Sequence, residues 1–203
     1  MYHINERLKK VPLSQLRPTQ ITVGYREVAS KRGEWGKLSK KSRLRVMSET
    51  IFPAVLGPER TFFILDHHHT ALALSREDAS DVQVGLVKDL SSLSLKAFWI
   101  FLDHYSWVHP YNSHGQRMSL NEVPTKLEDL TDDPYRSLAA DIRNQGGFAK
   151  TDSPYMEFLW ANYFRDSISE NVLRDRPKAA LRMGMTLAIS KKCAFLPGWS
   201  GVK

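Results

Sequence analysis

Asp66, His67, His68 and His69 stand side by side in the stretch TFFILDHHHTALAL, residues 61–74. A carboxylate beside three imidazoles can move protons near neutral pH or bind a metal ion. Adjacent residues cannot all face one point, so at most two of the histidines are expected to act together. Asp66, His68 and His69 are the catalytic candidates, and Asp66 and His68 are also the candidate metal ligands. Residues 62–65 read as a buried strand, and residues 70–76 carry good helix formers. The polar run therefore falls on a strand-to-helix turn, where free N–H groups and the positive end of a helix dipole favour anions. His67 and Thr70 join the phosphate-holding candidates on that turn. A zinc site would need a further ligand; His104, His109 and His114 are available, at spacings that fit no metal motif. The alternative is that the histidines cap the helix and bond to backbone.

Two other stretches carry candidate groups. In TVGYREVASK, residues 22–31, a glycine follows a short strand, and Arg26, Glu27 and Lys31 follow on a helix. Arg26 and Lys31 suit phosphate oxygens, and Glu27 suits a general base or a metal ligand. A capping carboxylate with two solvated basic residues explains the pattern equally. In YMEFLWANYF, residues 155–164, apolar residues cover most of the helical circumference, so Glu157 and Asn162 cannot both stay in water. A buried carboxylate needs a partner. Arg136, on the predicted helix carrying DPYRSLA, is the expected one, in a network that is structural or borders a pocket.

Composition narrows the classes. The chain has 203 residues, 42% of them hydrophobic, enough to bury a core. No window approaches the roughly 18 uninterrupted apolar residues of a membrane-spanning helix. The start, MYHINERLKKVPL, lacks the apolar centre of a signal peptide. A soluble, cytoplasmic protein without a membrane partner is expected. Cys193 is the only cysteine, so an internal disulfide and a cysteine-only metal site are excluded. It is either a small packing residue beside Ala194 and Phe195 or a thiol activated by Lys191 and Lys192. A formal net charge of +7 and a pI near 9.5 favour an anionic partner, nucleic acid or nucleotide. Lys31, Arg32, Lys37, Lys40, Lys41, Arg43 and Arg45 face only Glu34 within residues 31–45. That stretch is a solvated basic face or a phosphate-contacting surface.

Strands are expected at 20–23, 62–65 and 81–87, and a mostly helical stretch at 27–45, broken near Gly33 and Gly36. A buried helix lies within 93–107, and a surface-crossing connection covers 108–130. Helices follow at 133–144, 154–169 and 176–192, the first started by Asp133 and Pro134 and stopped by Gly146 and Gly147. An α/β portion, residues 1–115, precedes a helical portion, residues 116–203, that is expected to pack onto it as one compact unit.

The pairing of LRPTQITVGYREV with LDHHHTALAL resembles the ParB/sulfiredoxin superfamily, above all its ParB-like nuclease branch. DPYRSLA and EFLWANYFR resemble that branch's C-terminal half. Asp66, His68 and His69 match the Asp-Gly-His-His-Arg signature of the superfamily's free-serine kinases, with His67 in place of Gly and Thr70 in place of Arg. The resemblance implies an α/β (α+β) fold, a ParB/sulfiredoxin-like core with a small mixed sheet, plus an all-helical C-terminal portion. It implies phosphodiester hydrolysis on nucleic acid; the alternatives are a nucleotide-dependent kinase of a small hydroxyl substrate and a non-catalytic nucleotide- or DNA-binding module. A divalent ion, Mg or Zn, or a nucleotide would serve as cofactor. Arg26, Lys31 or Arg136 would replace the missing signature Arg as phosphate clamp. Sulfiredoxins carry a cysteine in this loop, which is absent here, and partition ParB proteins carry an Arg-rich box and a helix-turn-helix that this chain lacks.

Overall fold

A computed structural model describes residues 8–77 and 79–201. The first seven residues of the polar start, on which the expectation of no signal peptide rests, lie outside them. The chain forms two compact units. One comprises Met1–Val23, Val28–Asn112 and Gln116–Thr131, and the other Gly24–Glu27, Ser113–Gly115 and Asp132–Lys203. The connection over 116–131 thus belongs with the sheet unit. Among the described residues, no helix is long and apolar enough to cross a membrane.

The sheet unit is built on five strands: β1 (Lys9–Pro12), β2 (Leu16–Arg17), β4 (Ile51–Leu56), β5 (Phe62–Ile64) and β6 (Asp81–Asp89); the two-residue β3 (Thr22–Val23) lies apart from them. Their order is β1-β6-β4-β5-β2. β1 runs antiparallel to β6, β6 parallel to β4, β4 antiparallel to β5, and β5 parallel to β2. The sheet is therefore mixed. Its helices are α1 (Tyr25–Gly36), α2 (Lys40–Glu49), α3 (His68–Ser75) and α4 (Leu95–His104). Ser94 caps α4 by accepting the Ala97 N–H, and the buried Phe98, Trp99 and Leu102 form its inner face. Phe98 packs 4.6 Å from Phe63 of β5, ring centre to ring centre, with Trp99 at 5.5 Å from the same ring.

Those rings close over Gly57. A Cβ there would lie 2.6 Å from Phe63 Cε2 and 2.9 Å from Phe98 Cε2, both rings being buried. Overpacking of this kind costs about 1–3 kcal/mol. Gly57→Ala is expected to lower the unfolding free energy measured in urea by that amount, and an unchanged value would mean the rings are not held as described.

The helical unit contains α5 (Pro134–Asn144), α6 (Met156–Ser167), α7 (Glu170–Asp175) and α8 (Pro177–Ala188). Asp133 caps α5, its Oδ1 accepting the N–H groups of Tyr135 and Arg136, and Gly146 follows the helix at φ 80°. Trp160 is fully buried and stacks 4.2 Å from Phe148. Helix α8 meets α5 at Gly184, where a Cβ would lie 2.3 Å from Ile142 Cδ1. Cys193 is buried and donates to the Ser190 carbonyl, and burial pushes its thiol pKa up. It is a packing residue.

The structure departs from the sequence reading in several places. β1, β2, β4 and β7 (Thr131–Asp132) are additional strands. The basic stretch forms two helices, with Gly33 inside α1 and the break after Gly36. α7 is a separate short helix.

Candidate functional site

β5 ends at Ile64 and α3 begins at His68, so the Asp66–His69 run occupies the turn between them. His67 sits at the N-cap with φ 65° and ψ 22°, in the left-handed region, and makes no side-chain cap. A residue with a Cβ adopts that conformation at a cost of about 1 kcal/mol or more, so it persists where the surroundings impose it. Asp66 Oδ1 accepts the His67 N–H at 2.6 Å, while the His67 ring stands edge-on to Phe52 at 5.7 Å. Asp66 and His67 are exposed, and His69 and Thr70 are half-buried on the first turn of α3.

His68 points inward, with 3% of its surface exposed. Its Nε2 accepts the Thr19 N–H at 3.0 Å. The Thr19 hydroxyl lies 3.4 Å from the same nitrogen and donates to the Ile64 carbonyl at 2.8 Å. Burial is the main reason the His68 pKa falls to about 3, followed by a weaker opposing pull from Asp66 and a push from His67. The ring is neutral at physiological pH. Its bond to Thr19 joins the LRPTQ segment to the turn, and the Thr19 carbonyl accepts the His109 N–H. His109 is stacked on Tyr111 at 4.6 Å. Thr19 was not foreseen as part of this site; its one signal is its place after Pro18, at the entry to a strand.

Among the described residues, no group of three or more His, Cys, Asp and Glu could hold a metal ion. The two candidate ligands diverge, Asp66 lying outside and His68 inside. Among the described residues these donors do not make up a zinc site, which takes three or four protein ligands.

Arg26, Glu27 and Arg136 come together in the helical unit. Gly24 lies directly on α5, since a Cβ there would be 2.6 Å from Ser137 Oγ, and the Arg26 N–H donates to that hydroxyl. Arg26 pairs with Asp141 at 3.1 Å. Arg136, 6% exposed, pairs with Glu27 at 3.3 Å and approaches Glu157 at 4.0 Å. Arg143 donates a hydrogen bond to Glu157, a second partner beside the expected Arg136. Burial raises the pKa of both Asp132 and Asp141. Asn162 and Asp133 both accept from Arg165. Lys31 is half-buried on α1.

A short strand with a mixed sheet behind it, a polar turn rich in histidine, and a helical C-terminal part define a ParB-like α/β protein. The chain belongs to the family described as "Putative ParB-like nuclease", whose sequence model matches residues 9–166, including the turn, α5 and nearly all of α6. It is similar to a protein of known structure, Atu1540 from Agrobacterium tumefaciens, with 40% identity, a TM-score of 0.91, and coverage of 97% of this chain and 98% of that one. No curated protein matches it significantly.

Proposed function

We propose that the protein hydrolyses phosphodiesters of nucleic acid at the turn between β5 and α3. The left-handed backbone at His67 carries this reading. It turns Asp66 and His67 outward beside the side-chain-uncapped amino end of α3, where main-chain N–H groups attract a phosphate. The family described above supports the reaction class.

In this scheme the Thr70 hydroxyl and the first N–H groups of α3 hold the non-bridging phosphate oxygens. His69 takes a proton from the attacking water, the new P–O bond forms, and the opposite P–O ester bond breaks. His67 gives a proton to the departing oxygen, and Asp66 orients the turn through its bond to the His67 N–H. His68 is a positioning residue, since it is buried and bonded to Thr19. Arg26, Glu27 and Arg136 serve the ion pairs of the helical unit, and the reaction does not call on them.

General acid–base groups contribute on the order of 10²–10⁴ in rate. His69→Ala is therefore expected to slow cleavage of labelled DNA or RNA at least 100-fold while the melting temperature stays near wild type. Wild-type cleavage rates in both His67→Ala and His69→Ala would overturn the reading, as would a folded wild-type protein that cleaves none of these substrates.

A further inference from the structure

The helix α2 has a character that the hydrolytic turn does not explain. Its ten residues, KKSRLRVMSE, include none that is buried. A helix gains most of its stability in a protein from packing an apolar face; α2 lies against β6 with no residue fully buried, and polar contacts add to its hold. Ser39 accepts the Ser42 N–H at its start. Arg43 donates to the carbonyls of Trp35 and Gly36 at the end of α1 and lies over the Trp35 ring at 5.4 Å. Arg43 thereby ties the two helices together.

The half-buried side chains Ser42, Arg43 and Met47 lie on one side of α2. Lys40, Lys41, Leu44, Arg45 and Ser48 are exposed, and at 3.6 residues per turn they share the opposite side. Leu44 stands 66% exposed between the cations. Arg45 pairs with Glu49, but both are mostly exposed, and such a pair is worth little and yields to a better anion. Residues 37–49 hold five Lys and Arg against one Glu, a net +4 of the chain's +7. An outward-facing, cationic helix with no fully buried residue is complementary in charge to a polyphosphate backbone.

We infer that α2 is a nucleic-acid-binding surface that grips the sugar-phosphate backbone through Lys37, Lys40, Lys41 and Arg45, without reading bases. The inference deepens the function proposed above: it rests on the identity of the substrate as nucleic acid and not on the hydrolytic step. Phosphate contacts set register and affinity but carry no sequence information. The surface accordingly serves duplexes of any sequence.

The test uses the full chain and a fluorescein-labelled mixed-sequence DNA duplex, with Kd measured from low to moderate NaCl. Each phosphate contact adds about 0.9 to the slope of log Kd against log salt. The triple variant Lys40→Gln/Lys41→Gln/Arg45→Gln is expected to bind at least 10-fold more weakly, with a slope reduced by roughly 2–3. Lys40→Arg/Lys41→Arg keeps the charge and is expected to keep both affinity and slope. Hydrolysis of bis(p-nitrophenyl) phosphate, too small to reach along a helix, separates the two proposals. Its retention in the triple variant alongside weakened duplex binding supports the inference. Equal duplex affinity and slope in wild type and triple variant overturns it, as does duplex binding by neither. Vesicles of anionic phospholipid serve as a second probe: wild-type binding to vesicles but not to duplex also overturns it. Failure of hydrolysis with duplex binding intact leaves α2 in its role and removes only the catalytic reading.

Discussion

Arg136→Met is expected to destabilise the protein by about 3–5 kcal/mol, the loss that follows when one member of a buried ion cluster is removed. Arg136 has 8% of its side chain exposed, Glu157 has 14% and Glu27 25%. Methionine fills a similar volume, so packing over Phe158, 5.4 Å from the guanidinium carbon, is largely kept. The loss is electrostatic. Glu27 loses its 3.3 Å partner and Glu157 keeps Arg143. The cluster is also imperfect as it stands, because Arg136 Nε is buried without a hydrogen-bond partner. Adding Glu27→Gln to Arg136→Met is accordingly expected to restore a large part of the loss. Urea unfolding of the single and double variants measures both effects. A neutral Arg136→Met would show that water reaches this cluster and that its charges do not depend on one another.

His68→Ala is the second large effect. It removes the acceptor of the buried Thr19 N–H, although Ile64 O keeps the Thr19 hydroxyl. An orphaned buried donor costs about 1–3 kcal/mol, and the space left by the ring adds to it. A total of about 3–4 kcal/mol would lower Tm by roughly 10 °C in a chain of this size.

The same residue sets an acid response. Between the ordinary histidine value of 6.5 and its folded value of about 3, the unfolded chain binds a proton on this ring that the folded protein refuses. Stability is full above that window and falls as pH drops through it, by about 1.4 kcal/mol for each unit where the difference is complete. Asp132 and Asp141, raised by burial, act oppositely: the folded state holds their protons above 3.8, so acid relieves a cost just above that pH. Toward the carboxylate range the decline is therefore shallower than His68 alone dictates. His68→Gln, which does not titrate, is expected to flatten the wild-type decline between pH 6.5 and 5. An equal decline in that variant would place its cause elsewhere.

Elements whose ends are marked by chemistry were legible in the sequence. Asp133 and Pro134 announce α5 because a cap and a fixed φ suit a helix start whatever surrounds them. The run FFIL stops at Asp66, which located β5 and the turn. β4 was hidden by Pro53 in IFPAVL, since proline ordinarily excludes a central strand. Its carbonyl still joins the sheet, accepting the Leu65 N–H. Gly33 did not break α1; the break follows Gly36 and is fixed by the Ser39 cap of α2, a contact between residues that propensity treats singly. Which of three adjacent histidines faces inward was not legible. Strand and helix periods both fail across a left-handed residue, and His67 resets the direction of the chain just before His68. Glu157 shows an intermediate case. Arg136 and Arg143 lie seven residues apart, two turns on one stripe of α5, so the pattern points to the stripe and packing picks the residues.

The decisive point is where a phosphodiester sits. A non-hydrolysable phosphorothioate dinucleotide, titrated into ¹⁵N-labelled protein and followed by NMR, tests it most directly. Saturable amide shifts are expected, largest at His67, His69 and Thr70 and abolished by a Thr70→Pro substitution that leaves the remaining spectrum folded. Saturable shifts elsewhere, with the 66–70 amides unmoved, would contradict it.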